Sequence, residues 1–216
     1  MTADIKNPAF YDTQNLATMS AQEIPLGSAE LRTVEQIRRE LRDFASTGVH
    51  GFYYRARDFA GDAHPTPRDF GPGRPGADRY KRDGQQALYL SRLPSTAWLE
   101  LGDQSPEQPR RFVQAFNVVS PRMVAVRLHD LTEDGTPFLH SYVFHCENTR
   151  ENDSYAHKPT YLVADLCKEI GIEALEYPSV RGEYRENPHA VNIVVFSPAF
   201  EDLLLMTDGV PFELSL

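Results

Sequence analysis

Apolar residues in this chain first fall into a steady period after residue 28. Leu31, Val34, Ile37, Leu41 and Phe44 recur every three or four positions, with Glu30, Glu35, Arg38, Arg39 and Arg42 on the other faces. That spacing predicts an amphipathic helix from Ser28 to near Gly48. Upstream, residues 1–27 hold no period and carry Asn7-Pro8, Pro25 and Gly27, which reads as an irregular arm. Gly51 to Ala56 is rich in aromatic residues and predicts a strand, and Ala87 to Leu90 predicts a second. Ser95 and Thr96 are placed to cap a short helix that carries Glu100 and is interrupted by Gly102.

Further along, Val118 to Leu128 and Phe138 to Cys146 read as strands separated by the turn signal Glu133-Asp134-Gly135. Pro159 to Ile170 predicts a helix: proline suits its first turn, Leu162, Val163, Leu166, Cys167 and Ile170 share a face, and Gly171 fits the cap. Leu175 to Tyr177 leads out to Pro178-Ser179, and Val191 to Phe196 returns as an apolar strand. Strands and helices mix without a βα repeat, so the fold class is α+β.

Composition narrows the function. At 216 residues, 41% hydrophobic and 25% charged, the chain can bury the core of one globular domain. A formal net charge of -9 opposes direct nucleic-acid binding and anionic membranes. No basic start with an apolar core opens the chain, and no run of about eighteen apolar residues occurs, so a cytoplasmic address without a membrane span is expected. Cys146 and Cys167, the only cysteines, form no close pair of the zinc or redox type.

The basic residues are unevenly spread. Arg55, Arg57, Arg68, Arg74, Arg79, Lys81 and Arg82 crowd one segment, where a uniform spread would put about three. The same segment holds FGPGRPG, a turn-rich loop that lets backbone amides approach a ligand. Arginines beside such a loop suit a phosphorylated small molecule. The plainer explanation is a solvated loop neutralised by the interleaved Asp58, Asp62, Asp69, Asp78 and Asp83.

Several chemistries are disfavoured. In HSYVFHC, strand alternation sends His140 and His145 to opposite faces, against joint metal ligation. HExxH and CxxC are absent, as are GxSxG, GxxxxGK[ST] and GxGxxG, so no metal site, P-loop or Rossmann fingerprint is expected.

Three segments carry what remains: YYRAR at 53–57, GADRYKRDGQQALYLSRLPSTAWLE from Gly76 to Glu100, and EYPSVRGEYRENPHAVNIVVF from Glu176 to Phe196. In this order they resemble the RES-domain family, named for an arginine, a glutamate and a serine that recur in its members. The resemblance runs from about Gly51 to Phe196. It makes residues 51–216 the RES domain and residues 1–50 an N-terminal arm and helix. Position by position, the family arginine looks like Arg79, the strand tyrosine like Tyr89, the glutamate like Glu100 and the serine like Ser179. The earlier arginine is similar to Arg55, with Arg57 as its rival. Tyr80 stands where tryptophan is common, and Lys81 where asparagine is common.

The resemblance implies an ADP-ribosyltransferase-like fold with a mixed or antiparallel β core and flanking helices. It implies NAD as substrate rather than cofactor, and a toxin paired with an antitoxin carrying a helix-turn-helix domain; oligomeric state is left open. Cleaving the nicotinamide–ribose bond develops positive charge on the sugar, which a carboxylate stabilises, so Glu100 takes that role and holds a ribose hydroxyl. Arg55 and Arg79 are assigned to the pyrophosphate or adjoining ribose, Tyr89 to stacking or a hydroxyl, and Ser179 to a ribose or amide group. Inorganic phosphate or water accepts the ADP-ribosyl group. Two alternatives stand beside this: ADP-ribosyl transfer to a protein, and a catalytically silent module that binds NAD or ADP-ribose. Each residue also has a plain structural alternative: surface helix for Glu100, loop salt bridge for Arg79, core aromatic for Tyr89, turn former for Ser179.

Overall fold

The computed structural model describes residues 29–72, 79–82, 84–102, 110–140, 158–179, 181–182, 186–200 and 207–214. The arm at 1–27, the FGPGRPG loop beyond Pro72, and positions 141–146 of the expected strand, with His145 and Cys146, lie outside these residues.

Helix α1 (Ala29–Phe44) runs directly into strand β1 (Ala45–Phe59). The helix therefore stops four residues short of Gly48, because Ala45, Ser46 and Thr47 pair with Val126, Ala125 and Val124 of another strand. Tertiary pairing overrides the local helical pattern here. Gly48 instead sits inside β1 at φ +92, where the register shifts between Thr47 and Val49. Val34, Ile37 and Leu41 of α1 are at most 1% exposed, and burying each contributes about 2 kcal/mol.

Strand β2 (Ala87–Ser91) and helix α2 (Pro94–Glu100) follow, then a long strand β3 (Arg110–Arg127). Pro94 occupies the first turn of α2 and Leu93 its N-cap, with no side-chain capping bond, so Ser95 and Thr96 lie inside the helix rather than capping it. β3 starts eight residues before the expected Val118. The strand expected from Phe138 opens instead as a helical turn at 137–140, where His140 N donates to Thr136 O (2.8 Å) and Leu139 N to Glu40 Oε2 of α1 (2.9 Å). His140 is thus not on a strand. Helix α3 (Lys158–Glu169), β4 (Ala174–Pro178), β5 (Val191–Phe196) and β6 (Thr207–Glu213) complete the order. Among the described residues, no helix is long and apolar enough to cross a membrane.

The strand order is β1-β2-β5-β4-β3-β6, and β1 also pairs with β3, so five strands close into a ring. Among the described residues, only β3 and β4 pair in parallel. The closure between β1 and β2 is narrow, registered at Tyr54 and Ser91. Alternation sorts the side chains of β2, β4 and β5 into two cores. Leu88, Leu90, Ala174, Ile193 and Val195 point inward against Tyr53, Phe112 and Phe116. Ala87, Leu175, Tyr177, Val194 and Phe196 point outward under α1 and α3.

Candidate active site

Glu100 ends α2, and the sequence around it fixes where that helix stops. Gly102 adopts φ +71, a conformation open to glycine, and its N–H closes on Leu99 O at 2.9 Å. The orphan carbonyls of the helix end are taken by Arg111 of β3. Its Nη1 donates to Trp98 O (2.8 Å) and Gly102 O (2.9 Å), while its guanidinium lies over the Trp98 ring at 4.5 Å. Nε and Nη2 donate to the two carboxylate oxygens of Asp58 on β1, at 2.6 and 2.9 Å. Arg111 is 1% exposed, so a buried, paired cation clamps the negative end of α2.

The carboxylate itself is held through one oxygen. Glu100 Oε1 accepts from Ser179 Oγ and from Asn192 Nδ2, both at 2.6 Å. Asn192 Oδ1 accepts in turn from Ser91 Oγ at 2.6 Å. Ser179 Oγ accepts from Gly182 N at 2.7 Å, and Ser179 N donates to Ala190 O at 2.8 Å. One chain of hydrogen bonds thus crosses from β2 through β5 to the end of α2 and on to the loop after β4. Gly182 has no room for a side chain: a Cβ there would lie 2.8 Å from Ser179 Oγ and 2.9 Å from both Ala190 Cβ and Thr96 Cγ2.

Arg79 reaches this site from the basic segment, which α3 pins in place. Thr160 Oγ1 donates to Arg79 O, and Arg82 Nε pairs with Asp165 at 2.8 Å. The Arg79 guanidinium lies over the Tyr177 ring, 5.5 Å from its centre. Tyr177 is in register with Asn192, so both face the same side of the sheet. Burial pushes the Tyr177 phenol well above its usual range; Arg79 opposes this, while Glu100, Tyr89 and Tyr80 add to it. The ring therefore stands among the other groups of the site and stays protonated. The Tyr89 hydroxyl accepts from Tyr80 N at 3.1 Å, which ties it to the residue after Arg79.

Of the residues singled out from sequence, the structure joins Glu100 to Ser179 directly and sets Arg79 and Tyr89 around Tyr177. Arg55 sits half-buried on β1, opposite Gln114, on the strand face of Tyr53 and Arg57. Arg57 Nη2 donates to Gly71 O at 2.8 Å, so it braces the root of the glycine- and proline-rich loop. Of the interleaved acids, Asp58 holds Arg111, and Asp69 accepts from Thr66 N and Oγ1 and lies near Arg57. Tyr177, Asn192, Ser91, Gly182 and Arg111 were not assigned roles from sequence. Asn192 did leave a signal, being the one polar residue of VNIVVF. Arg111 left none, because its partner Asp58 lies fifty-three residues away.

The RES domain family profile matches residues 52–215. No curated protein matches the sequence. Among solved structures, a chain of the crystal structure of the M. tuberculosis MbcT–MbcA toxin-antitoxin complex is similar in fold. The TM-score is 0.51 at 12% identity, covering 84% of this chain and 93% of that one. The α+β, ADP-ribosyltransferase-like architecture expected from the sequence is the one the chain adopts. With three quarters of its length inside the family profile, the chain belongs to the RES domain family.

Proposed function

We propose that this protein degrades NAD by cleaving the nicotinamide–ribose bond and passing the ADP-ribosyl group to inorganic phosphate or water. The observation that carries the reading is the Glu100 carboxylate, fixed through Oε1 by Ser179 and Asn192, with the Arg79 guanidinium on the neighbouring Tyr177 ring. A carboxylate held by one oxygen presents the other, Oε2, to a ribose hydroxyl and to positive charge at the anomeric carbon. In the reaction the C–N bond breaks, its electron pair goes to the pyridinium nitrogen, and neutral nicotinamide leaves without an acid. A C–O bond forms from phosphate, or from water with loss of a proton to solvent. Arg79 takes phosphate oxygens of NAD. Ser179 donates to Glu100 and accepts from Gly182, so it orients the carboxylate instead of attacking the sugar.

Family membership and the toxin-antitoxin origin of the similar structure support a toxin paired with an antitoxin; the cytoplasmic address and the helix-turn-helix domain of the antitoxin belong to the same proposal. The test is NAD loss and nicotinamide release by the purified chain, with and without phosphate, beside Glu100→Gln. The amide keeps an acceptor for Ser179 and Asn192 but removes the charge, so turnover falls by about a thousandfold. Wild-type protein that leaves NAD intact under both conditions refutes the reading. ADP-ribose appearing on protein instead of free product replaces degradation by transfer.

A further inference from the structure

A second polar cluster lies on the opposite side of the same strands. Glu176 precedes Tyr177 on β4, so its side chain turns inward, with that of Ala174, and closes one end of the strand ring. It is 3% exposed yet charged, and four donors from separate elements meet it. Tyr53 OH of β1 donates to Oε1 at 2.5 Å, and Arg92 Nη2, just after β2, donates to the same oxygen at 3.0 Å. On Oε2, His129 Nε2 stands at 3.2 Å and Arg127 Nε of β3 at 3.4 Å.

Beside this hub opens a cavity of about 410 Å³, in the size range of small-molecule sites. It is not the Glu100 site: β4 and β5 stand between them, Tyr177 and Asn192 facing one and Glu176 the other. Its polar wall holds two guanidiniums, Arg92 and Arg127, and two imidazoles, His129 and His189, against one carboxylate. Asp130 pairs with His129 Nδ1 at 3.1 Å from outside the wall, so the wall itself carries two arginines against one carboxylate in a chain of net charge -9. The carboxylate is engaged by its four donors, so it braces the arginines and leaves a cation little to bind. Arg92 is further fixed by the Tyr53 ring, 4.7 Å below its guanidinium. Arg92 and Arg127 keep 34% and 44% of their side-chain surface exposed, so both remain open to a ligand. The remaining wall is apolar, with Phe52 half-exposed beside Leu93. Paired guanidiniums recognise an oxyanion, and a half-exposed phenyl ring offers a face for a flat heterocycle.

We propose that this cavity is a second ligand site, for a phosphomonoester, with a purine mononucleotide as the occupant that uses both walls. It is independent of NAD cleavage. The test is calorimetric titration of the full chain with AMP and, separately, inorganic phosphate, using Arg127→Gln, Phe52→Ala and Glu100→Gln. Arg127 and Phe52 are exposed enough for these variants to fold. Expected is saturable AMP binding that Arg127→Gln weakens by about tenfold or more and Glu100→Gln leaves unchanged. Phe52→Ala weakens AMP by about threefold to tenfold without altering phosphate. Phosphate that binds as tightly as AMP, with Phe52→Ala indifferent, keeps the oxyanion site and names free phosphate as its occupant. The proposal is overturned if neither ligand saturates by about 10 mM, if Arg127→Gln changes nothing, or if Glu100→Gln abolishes binding. NAD turnover of Arg127→Gln equals wild type, whatever reaction the Glu100 site performs.

Discussion

Replacing Arg111 by methionine tests whether a buried clamp sets the position of Glu100. The change keeps the apolar contact with Trp98 but removes four hydrogen bonds: two to Asp58 and one each to Trp98 O and Gly102 O. Asp58, whose side chain is 15% exposed, is left without its counter-ion, and two carbonyls at the end of α2 lose their donor. Removing one partner of such a pair costs about 3–5 kcal/mol, most of it from the stranded charge rather than from the bonds. Asp58→Asn in the Arg111→Met background removes that charge, so the double variant regains about 1–2 kcal/mol. Arg111→Lys keeps the charge but loses the fork and falls between wild type and methionine. Urea unfolding of the four proteins gives the stabilities. Nicotinamide release below the unfolding transition gives the functional half: kcat drops with KM little changed, because Glu100 is displaced while the rest of the site stays. A loss under about 1 kcal/mol for Arg111→Met, or a double variant no more stable than the single, refutes the stranded-charge argument.

Two further outcomes follow from the same geometry. Gly182→Ala forces a methyl group into Ser179 Oγ, Ala190 and Thr96, so turnover is lost and stability falls by about 1–3 kcal/mol; unchanged turnover on the same NAD assay contradicts the close packing. Glu176 would be raised by burial alone, but the His129 and Tyr53 hydrogen bonds and Arg92 outweigh this and hold it down at about 2, against an ordinary 4.5. Its stabilisation, on the order of 3 kcal/mol, is complete above pH 4.5 and is lost as pH falls toward 2. Unfolding measured across that window is steeper in wild type than in Glu176→Gln; equal slopes contradict the account.

Sequence reading succeeded where local pattern and tertiary context agree. Val191–Phe196 was legible to the residue because both its faces are buried, and α3 because its apolar stripe and Gly171 point the same way. The first half of β3 was hidden because Arg111 and Gln114 interrupt the apolar pattern, though both are buried. The boundary of α1 was hidden because Ala45 to Thr47 become a strand only by pairing with β3. At the candidate site, the sequence resemblance singled out Glu100, Arg79, Arg55, Tyr89 and Ser179, and the fold brings Glu100 and Ser179 into direct contact. What holds them was not legible in the sequence, since Asn192, Ser91 and Arg111 act through contacts across the fold.

Strand β4 gives adjacent residues to two different surfaces: Glu176 to the inner cavity and Tyr177 to the outer site. Side chains on a strand change sides at every step, so gaining or losing one residue between Ala174 and Pro178 would exchange the two faces. The phenol would then enter the ring of strands, and the carboxylate would meet Arg79 and Glu100. Point substitutions can alter either surface separately, whereas a change in strand length alters both at once. The spacing of this short strand is therefore a shared constraint on two sites that have no residue in common.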